Sequence, residues 1–373
     1  AGDWTRQRAG MTVGRAESTL FTTDFALGAI VRQPAPAAGS EFDFRTRTSF
    51  APNQGQELRH RGLSLVMDWN LSDSLAFKSI SAQRWLDTRA FIDIDASELQ
   101  IGDVFVGLDQ EQFSQEFQLQ YDNGSNFQAV YGLYYLKEQV PSEQFAFAND
   151  FIRFAGAPVD FLRTINDDLT TTSYAAFVHG NWEFQPGWTL AAGLRYTSEK
   201  KDYYRTTTTV WGAPLQALGS TFAFDIDDKW SALTPSLSLQ RAFSDRMMGY
   251  VSANRGFKSG GFNGRANSAT EVSAFDPEYV WTYEAGLKMQ SEDRRLQGNI
   301  AAFRSNYKDF QARVSEVTNP NDPVPNFTFP VLNAAELTID GVEFEGLAII
   351  GSGTRLSAQL GWLDARYKRC DDP

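Results

Sequence analysis

The sequence holds one cysteine, Cys370, and two histidines, His60 and His179, in 373 residues. A single thiol excludes an intramolecular disulfide, and so few Cys and His exclude the usual zinc ligand sets. No apolar run approaches the roughly 18 residues that a membrane-crossing helix needs. Helical periodicity is nearly absent too, which argues against a bundle or a coiled coil. A membrane β-barrel stays open, because its strands hide their lipid-facing side in alternation. Basic residues are also short, at 34 Lys and Arg against 46 Asp and Glu. Nucleic-acid binders are usually basic, so no nucleic-acid partner is expected.

What is present is alternation. From about residue 57 long segments with period two are joined alternately by very short and very long connections. Phe113, Phe117, Leu119 and Tyr121 share one face of a strand, with Ser114, Glu116, Gln118 and Gln120 on the other. Asn123-Gly124 then supplies a tight hairpin turn, and Phe127, Ala129, Tyr131, Leu133 and Tyr135 form the apolar side of the return strand. The same unit recurs around turns at 70–74, 185–187, 244–245, 291–294 and 350–353. This predicts about twelve strands near ten residues long, several with Trp or Tyr at the ends of the apolar stripe, as at Trp69, Tyr121, Trp182, Tyr196 and Trp362. Spanning strands of roughly 9–11 residues with interfacial aromatics have that form.

Five long polar connections are expected at about 87–110, 140–169, 204–228, 258–280 and 310–332. They carry 19 of the acidic residues and seven of the basic ones, which accounts for the whole net charge of −12. An acidic rim of that kind draws cations, or simply stays hydrated.

Several motifs invite chemistry and do not sustain it. Arg255 to Gly264 is glycine-rich but lacks the Gly-Lys-Ser/Thr ending and the following helix of a phosphate cradle, so its glycines are read as bending a strand. Glu343 and Glu345 lie on one face of one strand, where paired glycosidase carboxylates normally come from different elements. Asp93-Ile94-Asp95 and Asp225-Ile226-Asp227-Asp228 are candidates for irregular calcium binding, without the spacing of an EF-hand. His179 has no second histidine nearby with which to bind a metal. No catalytic residue, metal or cofactor is expected, and the chain is read as a transporter segment rather than an enzyme.

Seven runs, in order, carry a resemblance: FSQEFQLQ at 113–120, LRYTSEKKD at 194–202, RGFKSGGFN at 255–263, FDPEYVWTYEAGLK at 275–288, NYKDFQ at 306–311, IDGVEFE at 339–345 and LGWLDARY at 360–367. Together they resemble the barrel strands of TonB-dependent outer-membrane receptors. The resemblance covers about residues 57–368 and implies an all-β fold, an antiparallel up-and-down transmembrane barrel of which this chain is a part, about 12 of 22 strands. It also implies energy-coupled uptake of a scarce ligand, an iron-siderophore, cobalamin or a glycan, across the outer membrane of a Gram-negative bacterium. The implied partners are outer-membrane lipid and lipopolysaccharide, the ligand, and the TonB energy-transducing complex, which acts through an N-terminal segment not found here. Residues 1–56 match loosely and are expected to form a strand end and an extracellular loop, with the partial barrel over 57–373. Opening at Ala1 without Met and stopping at Pro373 just after a strand-like run, the chain reads as a piece of something longer.

Period two then assigns faces. Phe117, Leu119, Tyr131, Leu133, Leu194, Leu360 and Trp362 are expected on the convex, lipid-facing side, and Glu116, Gln118, Arg195 and Gln359 on the concave one. Arg195, His179, Arg255 and Lys258 are the ligand-binding candidates of the lumen or outer loops. Unpaired edges are expected near 57–69 and 354–367. An ungated porin shares every strand feature, and a soluble glycan-binding β-propeller is the rival from another class, although a blade needs four short strands per repeat.

Overall fold

Side chains that alternate between apolar and polar over long stretches leave each strand with one face of each kind, and strands of that sort pair antiparallel through short turns. The structure, a computed structural model, describes residues 1–10, 20–24, 29–33, 48–51, 54–94, 100, 103–147, 161–211, 221–264, 266, 271–314, 316–317, 327–328 and 330–370. Thirteen strands make one antiparallel sheet. They are β1 (Gly2–Ala9), β4 (Gln56–Ser72), β5 (Leu75–Ile92), β6 (Asp103–Asp122), β7 (Phe127–Phe147), β8 (Phe161–Gln185), β9 (Trp188–Trp211), β10 (Thr221–Ser244), β11 (Met247–Lys258), β14 (Glu278–Gln290), β15 (Leu296–Arg313), β18 (Val331–Ile350) and β19 (Thr354–Cys370), paired in that order. Three small ribbons stand apart from it: β2 (Leu20–Asp24) with β3 (Ala29–Gln33), β12 (Gly261–Phe262) with β13 (Ala274–Phe275), and β16 (Glu316–Val317) with β17 (Phe327–Thr328).

The tight turns fall where Gly and Asn put them. Gly124, Gly187 and Gly351 have φ of 69°, 76° and 60°, a region open to glycine at no steric cost. In the 291–295 turn, Arg294 takes φ 56°, and the Asp293 carboxylate accepts from Ser291 Oγ at 2.6 Å and Arg295 N at 3.1 Å. Those two donors, Ser291 first, hold the Asp293 carboxyl below its ordinary range.

Three expectations are corrected. The strands run to 25 residues, as in β8, and not to about ten. Much of the polar sequence expected as loop at 87–110, 140–169 and 204–228 is strand, because Thr206 to Thr209 and Asp225-Ile226-Asp227 keep the alternation and the β-branched residues that suit a ladder. The first edge is also displaced. β1 pairs Gly2 with Leu63 through Ala9 with Gln56, so among the described residues the outermost strand on that side is β1, and β4 is left without a partner there only beyond Ser64. The other edge is β19, as expected. Much of the 1–56 segment lies outside the described residues.

The sheet has no large apolar core among the described residues. Among the described residues the buried apolar positions are mostly alanines, with Phe50, Tyr203, Trp230 and Leu337 the larger ones. By contrast Phe117, Leu119, Tyr131, Leu133, Leu194, Leu360 and Trp362 are all exposed, from 37% for Leu119 to 68% for Leu360. Cross-strand register puts them on one continuous face: Phe117 opposes Leu133, Leu119 opposes Tyr131, Tyr131 opposes Val178, and Val178 opposes Leu194. At roughly 1.5–3 kcal/mol per large apolar side chain, leaving these seven in water would forfeit on the order of 10–20 kcal/mol. A soluble propeller, with its packed blades, is excluded by the single thirteen-stranded sheet.

Aromatics bound this face. Phe113 and Tyr121, Phe127 and Tyr135, Tyr174 and Trp182, and Trp188 and Tyr196 are pairs eight residues apart on the successive strands β6 to β9. At about 3.3 Å per residue each interval is roughly 26 Å along the strand. A strand tilt of about 35–45° brings that to roughly 20 Å, close to the apolar band of about 25 Å on a membrane barrel.

Candidate functional site

The polar face is built from the alternate residues of the same strands. Gln112, Ser114, Glu116, Gln118 and Gln120 line it on β6, and Gln118 Nε2 donates to Glu116 Oε1 while Gln120 Nε2 donates to Gln118 Oε1 at 2.8 Å. Arg195 on β9 lies on this face. Its Nε donates to Thr197 Oγ1 at 3.1 Å, and its guanidinium is 5.4 Å from the Tyr134 ring and 5.5 Å from the Phe177 ring. Phe177 reaches that position because Gly132 stands directly opposite it, where a Cβ would come within 2.0 Å of the ring. Large rings over cross-strand glycines recur at Tyr250 on Gly286 and Phe303 on Gly341, and they keep this wall smooth. His179 is exposed on the same face, opposite Gly193 and diagonal to Arg195. It lines a recess of about 430 Å³ with Gln120, Asn181 and the Asn70–Ala76 turn.

Parity separates the other two candidates. Lys258 belongs to the polar face of β11, opposite Glu278. Arg255, three residues earlier, must fall on the other face, and it lies across from Trp281 with its guanidinium 4.4 Å from the Tyr279 ring and Nη1 donating to Leu233 O at 3.2 Å. Arg195 and His179 are thus brought together, Lys258 stands two strands away on their face, and Arg255 is on the face of Leu233.

A hydrogen-bonded network on the polar face joins the glycine-rich run to side chains that composition and spacing did not single out as site candidates. The segment after β11 folds back onto the wall of β8, β9 and β10. Lys201 Nζ donates to Gly260 O at 2.7 Å and lies 5.8 Å from the Trp230 ring. The almost fully buried Arg205 donates to Gly264 O and to Tyr203 Oη at 3.3 Å, and forms an ion pair with Asp167 at 3.6 Å. Tyr203 Oη donates to Asp167 Oδ1 at 2.7 Å, and its ring stacks on Phe262 at 5.9 Å. On the far side Gln311 Nε2 donates to Ser259 O at 2.9 Å and Asp276 O at 3.0 Å, and Asn333 Nδ2 to Asp276 O at 2.8 Å. Gly260 is needed for close approach, since a Cβ there would meet Trp230 at 2.4 Å and Phe275 O at 2.5 Å. This corrects the reading of the glycine-rich run as a strand bend alone: it is an inward step on the wall, held by wall side chains that grip backbone carbonyls. The alternation of Glu199, Lys201, Tyr203 and Arg205 on one face is the sequence signal that marks the gripping strand.

Among the described residues the acidic candidates do not gather into a site. Asp95 lies outside the described residues, and the alternation of β10 turns Asp225 and Asp227 to the face opposite Asp228. Among the described residues no group of three or more His, Cys, Asp or Glu is placed to hold a metal ion.

The family described as TonB dependent receptor-like, beta-barrel, matches residues 3–373. The fold is similar to the ferric yersiniabactin uptake receptor FyuA from Yersinia pestis, with 16% identity, a TM-score of 0.68, and coverage of 84% of this chain and 43% of that one. It is similar to the siderophore receptor PiuA from Acinetobacter baumannii, at 15% identity and TM-score 0.62 over 85% of this chain and 48% of that one. The ferric-catecholate import receptor Fiu from K12 E. coli matches at 12% identity and TM-score 0.58, over 90% and 51%. The chain spans about half the length of these solved structures, and at such identities the likeness is one of fold.

Proposed function

The chain belongs to the TonB-dependent receptor-like β-barrel family of the Gram-negative outer membrane, and from that premise we propose that it forms part of the wall of an energy-coupled uptake receptor. The observation that carries this reading is the division of one thirteen-stranded sheet into an exposed apolar face bounded by aromatics and a polar face bearing the inward step. The apolar face meets lipid, where an unpaired backbone group costs several kcal/mol, so the strands at both edges need neighbours to span. Arg195, His179 and Lys258 line the lumen, and a receptor rather than an enzyme is the role this wall serves.

The ligand is proposed to be an iron-siderophore complex, taken up with energy from the TonB complex. Support comes from the neighbours, named for ferric yersiniabactin, siderophore and ferric-catecholate uptake. Cells lacking the gene should lose growth on one ferric chelate under iron starvation, and regain it with the wild-type gene only when the TonB complex is intact. Arg195→Gln should raise the chelate concentration needed for half-maximal uptake by about tenfold, the loss of roughly 1.4 kcal/mol from a charge-assisted hydrogen bond. Uptake independent of TonB would favour an ungated porin. TonB-driven uptake of cobalamin or a glycan alone would overturn the iron reading and keep the receptor.

A further inference from the structure

One step beyond the aromatic border at Phe113, two unanswered charges of opposite sign flank an indole. Register places Arg61 of β4 opposite Trp85 of β5, and Trp85 opposite Glu111 of β6, on the face that Phe113 and Phe117 share. Two strand spacings of about 4.8 Å separate the arginine from the glutamate, roughly 10 Å in all. Arg61 is exposed, its guanidinium is 5.7 Å from the Trp85 ring, and among the described residues it has no carboxylate within ion-pair distance. Glu111 is exposed as well. It accepts from Gln83 Nε2 at 3.0 Å, and among the described residues no cation lies within ion-pair distance of it.

The next row outward repeats the order of signs, with Arg59 opposite Asp87 and Asp87 opposite Asp109. Arg6, Arg8 and Arg59 all meet Glu57 Oε1, at 2.8, 3.2 and 3.0 Å, so three cations share one carboxylate. Asp87 and Asp109 in turn share Arg89, at 3.5 and 3.3 Å. The patch therefore carries surplus positive charge on β1 and β4 and surplus negative charge on β5 and β6. A recess of about 660 Å³ lies among these side chains and leaves room for those of a facing wall.

Such a patch complements itself. An isologous contact presents the same surface on both copies, and a two-fold axis relating two copies inserted the same way must run along the membrane normal. That rotation keeps height and exchanges left for right, so the basic side of one copy meets the acidic side of the other. An axis through Trp85 sets Arg61 against the partner's Glu111 and Arg59 against the partner's Asp109, each twice over, with the two Trp85 rings facing. Asp87, on the same axis, is answered by its own Arg89. Trp and Arg are also the side chains that most often carry the energy of an interface. We propose that the receptor pairs with a second copy of itself through this wall, side by side in the membrane. The proposal rests on the outer-membrane reading above, which fixes the direction of the axis.

The test co-expresses two differently tagged forms of the full receptor, extracts them from outer membranes into nanodiscs, captures one tag and measures the other. Wild-type copies should be captured together. Arg61→Glu in both forms, or Glu111→Arg in both forms, sets like charges against each other and should lower co-capture at least about tenfold. Pairing an Arg61→Glu form with a Glu111→Arg form should restore it, as should both changes in one chain, because opposite charges then face again. If a swap fails to assemble, Trp85→Cys in a Cys370→Ser background should cross-link copy to copy, since a residue on a two-fold axis meets itself. Tyr283→Cys, exposed on the same face at β14, should cross-link at least about tenfold less. Wild-type copies that are never captured together, single swaps that pair as well as the wild type, or swaps that no combination rescues would overturn the proposal. The last result is expected if the sugars of a glycolipid fill the recess instead. Each of these leaves the receptor reading standing, whereas failure of the wild type to insert into outer membranes would overturn the membrane reading itself.

Discussion

Replacing Arg205 with leucine should release the inward step from the wall. The arginine is 2% exposed, donates to the Gly264 carbonyl and to Tyr203 Oη, and neutralises Asp167, itself only 12% exposed at the side chain. Removing one partner of a buried ion pair costs about 3–5 kcal/mol, because the other charge stays buried. Two acceptors also lose their donor, at about 1 kcal/mol each. Tyr203 and Ser142 still donate to Asp167, at 2.7 and 3.5 Å, so the lower bound of about 3 kcal/mol is the fair figure. That is about a hundredfold in the equilibrium for local opening. The Asn263 N–H donates to Ser273 O at 2.9 Å and reports on it. Hydrogen exchange by mass spectrometry should show Asn263 exchanging about a hundredfold faster in the variant, with β6 and β7 unchanged. Asp167→Asn combined with Arg205→Leu should recover part of the loss, since the carboxylate that Arg205 leaves unpaired is then gone. Protection at Asn263 within threefold of wild type would refute the claim that this network holds the step.

Three further outcomes follow from the same geometry. Phe117→Arg, near the middle of the apolar band, should destabilise the membrane-inserted protein by about 2–4 kcal/mol in reversible urea unfolding from vesicles, while Gln118→Arg on the polar face should cost under about 1 kcal/mol. Gly132→Leu should abolish heat-resistant assembly on gels, and Phe177→Ala in the same chain should restore it, because the Phe177 ring occupies the space a Gly132 side chain would need. The depressed carboxyl of Asp293 contributes order to its turn above the ordinary Asp value of about pH 3.9, and that contribution is lost as pH falls below it; exchange at Arg295 N should quicken there in the wild type, and show no such pH step in Asp293→Asn.

The faces were legible because a strand has no freedom in the matter. Once Phe117 is on one side, Gln118 is on the other, and the register carries that choice from β6 to β9. The same rule puts Arg255 and Lys258 on opposite faces, a consequence that their shared motif and positive charge obscure. Strand length was not legible, since nothing local distinguishes a polar loop from a polar strand held above the membrane by its neighbours; Thr206 to Thr209 is strand because Thr164 and Phe222 lie beside it. The inward step was hidden for a different reason. Lys201 and Gly260 are 59 residues apart, as are Arg205 and Gly264, and no periodicity within either segment reports a contact between them.

The central claim is that one face of this sheet meets lipid and the other meets water. Single cysteines introduced along 113–121, in a Cys370→Ser background, can carry a spin label in the vesicle-embedded protein. Phe113, Gln115, Phe117, Leu119 and Tyr121 positions should be quenched by oxygen dissolved in the lipid, and Ser114, Glu116, Gln118 and Gln120 by an aqueous nickel chelate, with a strict period of two. Uniform access to the aqueous quencher, or the same alternation with the two sets exchanged, would contradict the account.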